Sequence, residues 1–271
     1  MLFSDLLRSL APTPSGDAWT VTIPSDWLQG RSAFGGLQAA LALRTIRTLV
    51  PDNPLRVLQT TFIAPVFEGN ARLEARVLRA GKSTVHTEAR IFSGDDLAAI
   101  VIAVFGKPRP SEIQVVPVRP SLPASATPSA PVDLPRLPPG LPVFLQHFQM
   151  RWLRGMPPGS GDPSHEAILE VGIRDPGAVA TEAHVVALAD MPPPIALSML
   201  KARVPASSLT WTLEMLRDGG DRALAALPLA GWRLDVAIQA GEGGYTSQSE
   251  MVWGPGGEAV ALSRQCMVVF G

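Results

Sequence analysis

The sequence predicts an α+β chain of two modules of the same design, each a single buried helix wrapped by an antiparallel sheet. Three observations carry this. A helical stretch from Leu37 to about Val50 is apolar in almost every direction around its axis. Short turn sequences separate the runs that follow it, so those runs form an antiparallel meander. The same order of elements then returns after a proline-rich segment, Lys107 to Pro142. With 271 residues, 46% hydrophobic and 17% charged, the chain has ample material for a large core and too much for disorder.

In the first module, Met1 to Leu10 mixes apolar residues with Ser4, Asp5, Arg8 and Ser9 and reads as a short amphipathic helix, not a secretory signal. Trp19 to Ile23 alternates like a strand, and a Gly-containing loop, Gln29 to Gly36, leads into the helix. Leu37, Ala39, Ala40, Leu41, Ala42, Leu43 and Ile46 cover nearly its whole circumference, so it must be buried on most sides. Its alanines let a sheet approach the backbone closely. Strand-like runs follow at Leu55 to Pro65, Ala71 to Leu78, Ser83 to Phe92 and Leu97 to Phe105, divided by Glu68-Gly69-Asn70, Gly81-Lys82 and Gly94-Asp95-Asp96.

The segment 107–142 favours extended chain with no core of its own and reads as a linker between residues 1–106 and 143–271. Beyond it come runs at Leu145 to Leu153 and Ala167 to Ile173, then a helix near Ile195 to Lys201. Further runs lie at Ser208 to Leu216, Trp232 to Ala240, Gly244 to Trp253 and Ala259 to Phe270. The duplication rests on this order of elements, not on identities between the halves.

Charge and cysteine content exclude several classes of function. Lys plus Arg number 23 against 24 Asp plus Glu, so the net charge of -1 offers no broad attraction to nucleic acid or anionic lipid. No apolar run reaches the roughly 20 residues a spanning helix needs. The single cysteine, Cys266, has no disulfide partner within the chain, which fits a reducing cytoplasm.

A single helix sheathed by a curved antiparallel sheet is the hot-dog fold, so the chain is expected to be a tandem hot-dog. Short motifs agree with this in their order. They are Phe34-Gly35-Gly36 before the Ala-rich helix, Phe62-Ile63-Ala64-Pro65 ending a strand, and Leu78-Arg79-Ala80-Gly81-Lys82-Ser83 at a hairpin; later come Ser208-Leu209-Thr210, Trp232, and Gly257 with Gln265. Together they resemble the acyl-CoA thioesterase II (TesB-like) family over nearly the whole chain outside the linker. The resemblance implies hydrolysis of acyl-CoA to free acid and CoA, with no metal or redox cofactor.

Hydrolysis of a thioester needs a group that orients and deprotonates water, and donors aimed at the oxygen that gains charge. Gly35 and Gly36 can supply backbone N–H groups at a helix N-terminus; they can equally be the turn that directs the helix into the sheet. In the resembled family an Asp, a Thr or Ser, and a Gln hold the water. Gln265 corresponds to the Gln. By alternation it shares a face of its strand with Ala261, Ser263 and Met267, and it reads either as part of the site or as an exposed polar residue. Thr210 stands where the family has its Asp, and a threonine is no base at neutral pH. The family's Thr or Ser falls near Ala240, with Thr246 or Ser247 as substitutes. Asp190, just before Met191 and prolines 192 to 194, is the alternative carboxylate; it reads as an N-cap and also as a catalytic acid.

Arg79 and Lys82 are candidates for the CoA phosphates, and equally ordinary basic turn residues. His86, His147, His165 and His184 show no pairing or metal-ligand spacing, Cys266 reads as a buried inert thiol, and no Gly-x-Ser-x-Gly elbow is present. The leading expectation is an acyl-CoA thioesterase in which Gly36 N–H polarises the carbonyl and Gln265, with Thr210 or Asp190, positions water. The alternatives are a noncatalytic acyl or acyl-CoA binding protein and, last, an enoyl-CoA hydrating lyase. Exposed strand edges point to a homo-oligomer.

Overall fold

Helix α2 (Gly35–Ile46) is the centre of the first half, and every residue from Gly36 to Ile46 except Arg44 is buried. That is the enclosure its all-round apolar surface demands, each fully buried Leu or Ile contributing roughly 1.5–3 kcal/mol. The structure is a computed structural model that describes residues 1–124, 126, 128–129, 140–217 and 220–270. The linker stretch 130–139 lies outside the described residues.

In the first half α2 is preceded by α1 (Phe3–Arg8), β1 (Ala11–Pro12), β2 (Trp19–Ile23), β3 (Leu28–Gln29) and β4 (Ser32–Ala33). It is followed by β5 (Leu55–Phe62), β6 (Gly69–Ala80), β7 (Thr84–Ser93) and β8 (Asp96–Gly106). The second half runs β9 (Phe148–Arg154), β10 (Glu166–Ile173), α3 (Glu182–Ala189), α4 (Ala196–Met199), β11 (Ala206–Met215), α5 (Gly220–Leu224), β12 (Trp232–Glu242), β13 (Tyr245–Trp253) and β14 (Ala259–Val269).

One 12-stranded antiparallel sheet runs through both halves in the order β1-β2-β6-β7-β8-β5-β11-β14-β13-β12-β10-β9. In each half the strand after the central helix lies beside the last strand of the meander, β5 on β8 and β11 on β14. The two post-helix strands then pair with each other across the middle, from Thr61↔Thr210 to Val57↔Glu214. The duplication read from element order is thus present as a repeated topology. The sheet wraps both helices, and α1 packs Phe3, Leu6 and Leu7 into the same core.

The second half departs from expectation at its helix. The central helix is α3, while the predicted stretch near Ile195 to Lys201 contains only the single turn α4. Residues Glu182–Ala189 are short, hold two valines and are apolar nearly all round, so they present no helical stripe to read. What starts α3 is a capping box: the Thr181 N–H donates to His184 Nδ1 at 3.2 Å. Asp190 is accordingly the C-cap of α3 and not the N-cap of a following helix, with φ -98° and ψ -2°. The residues after it, Met191 to Ile195, cross the inner face of the sheet, where the Ile195 N–H donates to Gln248 Oε1 at 2.9 Å.

A candidate active site where the two central helices meet

Helices α2 and α3 pack antiparallel, because the start of α2 lies against the end of α3 and Arg47, at the end of α2, bonds Glu182 at the start of α3. Their close approach depends on glycine. A Cβ on Gly36 would come within 3.1 Å of the Ala187 Cα, and one on Gly35 would meet Asp190 Oδ2 at 2.7 Å and the Phe62 ring at 3.1 Å. The packing and functional readings of this pair therefore coincide: the absence of side chains brings the Asp190 carboxyl onto the N-terminus of α2.

Two donors face that carboxyl. The Gly36 backbone N–H, a first-turn group with no acceptor inside the helix, lies near enough to favour the ionised carboxyl. The Gln265 side-chain amide donates to Asp190 Oδ1 at 2.9 Å and, with its other hydrogen, to Ser208 Oγ at 2.8 Å. Gln265 reaches inward from β14 on the face it shares with Ala261, Ser263 and Met267, and these two bonds fix its amide orientation.

Asp190 keeps some accessible surface, while its carboxyl lies deep enough for desolvation to dominate. Burial raises its pKa from 3.8 to about 7, against the opposing pull of the Gln265 hydrogen bond and the nearby Gly36 N–H. A carboxylate in that range is basic enough to take a proton from water and ionised in a large fraction of molecules at neutral pH. On the neighbouring strand Glu250 is buried too; burial first, then the charges of Asp190 and Asp235, hold its carboxyl well above the usual range.

Of the residues singled out from sequence, Asp190, Gln265 and Gly36 come together directly, with Gly35 beside them. Thr210 does not join them, and the partner in its place is Ser208. The pairing of β11 with β14 slips between Ser208 and Thr210; this bulge turns Ser208 towards Gln265 and leaves Thr210 exposed on the outer side. The carboxylate missing at Thr210 is supplied by Asp190 from another element.

Arg79 and Lys82 sit on the exposed end of the β6–β7 hairpin, and no hydrogen bond or ion pair joins either to the Asp190 cluster. Thr246 faces the interior of β13 with its Oγ1 buried and unpaired, whereas Ser247 faces the other way and bonds Arg264. His184 is buried against Asp175 and packs edge-on to Phe3, and His147 stacks on Trp27 at 4.1 Å, so both join elements of the two halves. Among the described residues no group of three or more His, Cys, Asp or Glu side chains is placed to hold a metal ion. Nor is any helix among them long and apolar enough to cross a membrane. Sequence reasoning passes over Ser208 and Glu250. Nothing local marks the bulge, but alternation on β13 places Glu250 with the buried Gln248 and Val252, and that signal was available.

A pair of antiparallel helices sheathed by one continuous sheet, with a carboxylate at their junction, defines a double hot-dog protein. Family comparison carries this further. The acyl-CoA thioesterase N-terminal domain matches residues 23–106 and the acyl-CoA thioesterase C-terminal domain matches residues 119–269. The chain belongs to the acyl-CoA thioesterase family and carries both of its domains.

Solved structures of similar fold include a conserved protein of unknown function with a hot dog fold from Alicyclobacillus acidocaldarius (TM-score 0.83, 21% identity, 99% of this chain and 98% of that one). The tesB protein of Mycobacterium avium subs paratuberculosis gives 0.74 at 15% identity over 100% of both chains. The acyl-CoA thioesterase II TesB2 of Mycobacterium marinum gives 0.72 at 18% identity over 99% and 98%. At such identities these likenesses establish the fold alone. Comparison with curated proteins found no match.

Proposed function

We propose that this protein hydrolyses an acyl-CoA thioester to the free acid and CoA, with Asp190 as the base that activates water. The observation that carries the reading is the Asp190–Gln265 hydrogen bond at the N-terminus of α2: a carboxyl with a pKa of about 7, oriented by an amide that is itself held by Ser208. Ionised Asp190 takes a proton from water as the water oxygen bonds to the thioester carbonyl carbon. The tetrahedral intermediate then collapses with breakage of the C–S bond, and the proton passes from Asp190 to the departing CoA sulfur. Negative charge on the carbonyl oxygen is favoured at the α2 N-terminus, where first-turn N–H groups lack intrahelical acceptors. The chemistry needs no metal or redox group.

A noncatalytic acyl-CoA binder was the alternative suggested by Thr210. That motive weakens once Asp190 provides the carboxylate beside Gln265. Steady-state release of CoA from straight-chain acyl-CoAs of graded length tests the proposal. Turnover in the native protein, with kcat reduced about 10²–10⁴-fold in Asp190→Asn at little change in KM, is expected. Tight binding of intact acyl-CoA with no CoA released by folded protein would instead establish the binder.

A further inference from the structure

The inner face of the second half carries more polarity than a hot-dog core needs. On β13, Gln248, Glu250 and Val252 all point inward and are buried. Across the strand, Gln248 lies opposite Gln265 and Glu250 lies opposite Ser263, so Glu250 is one row from the glutamine that holds Asp190. Its polar neighbours are satisfied: Gln248 accepts the Ile195 N–H at 2.9 Å, and Ser263 accepts the Trp211 Nε1–H at 2.9 Å. Glu250 is not. It is 4% exposed, and its Oε1 has no hydrogen-bond partner. Further along the same face the Thr246 Oγ1 is likewise buried and unpaired.

Native interiors rarely leave such oxygens unpaired, since each is desolvated on folding with nothing gained in return. Two of them on one strand, flanking the row of Gln265, point to a partner that arrives with the ligand. Burial and the nearby charge of Asp190 hold the Glu250 carboxyl well above its usual range, which favours its protonated form, an O–H donor.

Resting on the acyl-CoA reading above, we propose that Glu250 and Thr246 determine specificity for an acyl group bearing an oxygen substituent, a hydroxyl or keto oxygen, in the part of the chain nearest the thioester. The substituent oxygen accepts the Glu250 O–H, and the Thr246 hydroxyl bonds the same group or a neighbouring one. Both protein groups lose bulk hydration on folding, so a hydrogen bond to the substituent returns what burial removes. A plain alkyl chain leaves both unpaired. A carboxylate substituent is disfavoured by the nearby charge of ionised Asp190.

The test uses a matched pair of non-hydrolysable thioether analogues of acyl-CoA, equal in chain length, one plain and one hydroxylated, titrated calorimetrically at pH 7. Wild type is expected to bind the hydroxylated analogue about five- to tenfold more tightly, as one or two net hydrogen bonds allow. Glu250→Gln, whose amide still donates, keeps most of that ratio, whereas Glu250→Leu brings it to about one. Thr246→Val, a smaller change, lowers the ratio part-way and serves where the leucine variant does not fold. Equal affinity of wild type for the two analogues, or an unchanged ratio in Glu250→Leu or in Thr246→Val, overturns the specificity proposal and leaves the acyl-CoA reading standing. Failure of both analogues to bind wild type sinks that reading, and the specificity proposal with it.

Discussion

Replacing Asp190 by Asn separates the group's chemistry from its effect on stability, and the two should move in opposite directions. Burial raises the Asp190 pKa from 3.8 to about 7 in the folded protein, a displacement of about three pH units. At 1.36 kcal/mol per unit, ionised Asp190 destabilises the fold by at most about 4 kcal/mol. The folded state binds this proton more tightly than the unfolded state does. The group's contribution is therefore most favourable below pH 3.8, declines as pH rises to about 7, and is flat above that. Asparagine removes the ionisation, so the variant's advantage over wild type should grow by about 2–3 kcal/mol between pH 5 and pH 8, less whatever residual solvent access relieves. Urea unfolding of both proteins at the two pH values measures it. An advantage that does not change with pH, or a variant less stable at pH 8 than at pH 5 relative to wild type, would refute the claim that a desolvated carboxylate sits at this junction. In the activity assay the same group predicts the converse: kcat/KM of wild type rises with pH to half its plateau near pH 7, where the base becomes ionised, and the variant's low residual rate lacks that limb.

Gln265→Leu removes a hydrogen bond that favours ionised Asp190, so the acidic limb of the pH–rate profile should move up by roughly a pH unit in addition to any fall in kcat. A profile at the wild-type position would show that Gln265 does not orient the base. Gly35→Ala puts a methyl group 2.7 Å from Asp190 Oδ2 and 3.1 Å from Phe62, and should lower kcat about 100-fold or more through displacement of the carboxyl, read by stopped assays on protein with native circular dichroism. Thr210→Val, on the outer side of its strand, should leave kcat/KM within about twofold, while Ser208→Ala, which frees the Gln265 amide, should lower it about tenfold. The reverse ranking in a side-by-side assay would restore Thr210 to the site.

The fold was largely legible in the sequence because its strongest signal is also its strongest physical constraint. A helix apolar on all sides, from Leu37 to Ile46, has few places to go other than inside a sheet, and the turn sequences that follow it dictate the meander. The second central helix escaped because Glu182–Ala189 is too short for its period to register and is started by a Thr181–His184 capping box, while the prolines after Asp190 imitate a helix start. Gln265 was readable from alternation on an apolar strand. Ser208 was not, because the β-bulge that turns it inward is a property of the pairing between β11 and β14 and breaks the alternation any single-strand reading assumes.

The antiparallel helix pair has two ends, and at each an acidic residue of α3 lies against α2. At one end Glu182 is ion-paired with Arg47 and accepts the Leu55 N–H at 3.0 Å, while Arg47 also bonds the Val50 and Asn53 carbonyls and lies over the Phe105 ring. A carboxylate so paired locks α2, α3 and the start of β5 together. At the other end, among the described residues, Asp190 meets only neutral donors, the Gln265 amide and the nearby Gly36 N–H, so its desolvation is only partly compensated. The presence of a guanidinium at one junction and of two glycines at the other thus distinguishes the structural end of the helix pair from the end proposed to be reactive. The proposed reactive end is assembled from both halves, with α2 from the first and Asp190, Gln265 and Ser208 from the second. Neither half alone contains it, and the fusion of the halves through β5 and β11 keeps the glycine pair and the carboxylate in register.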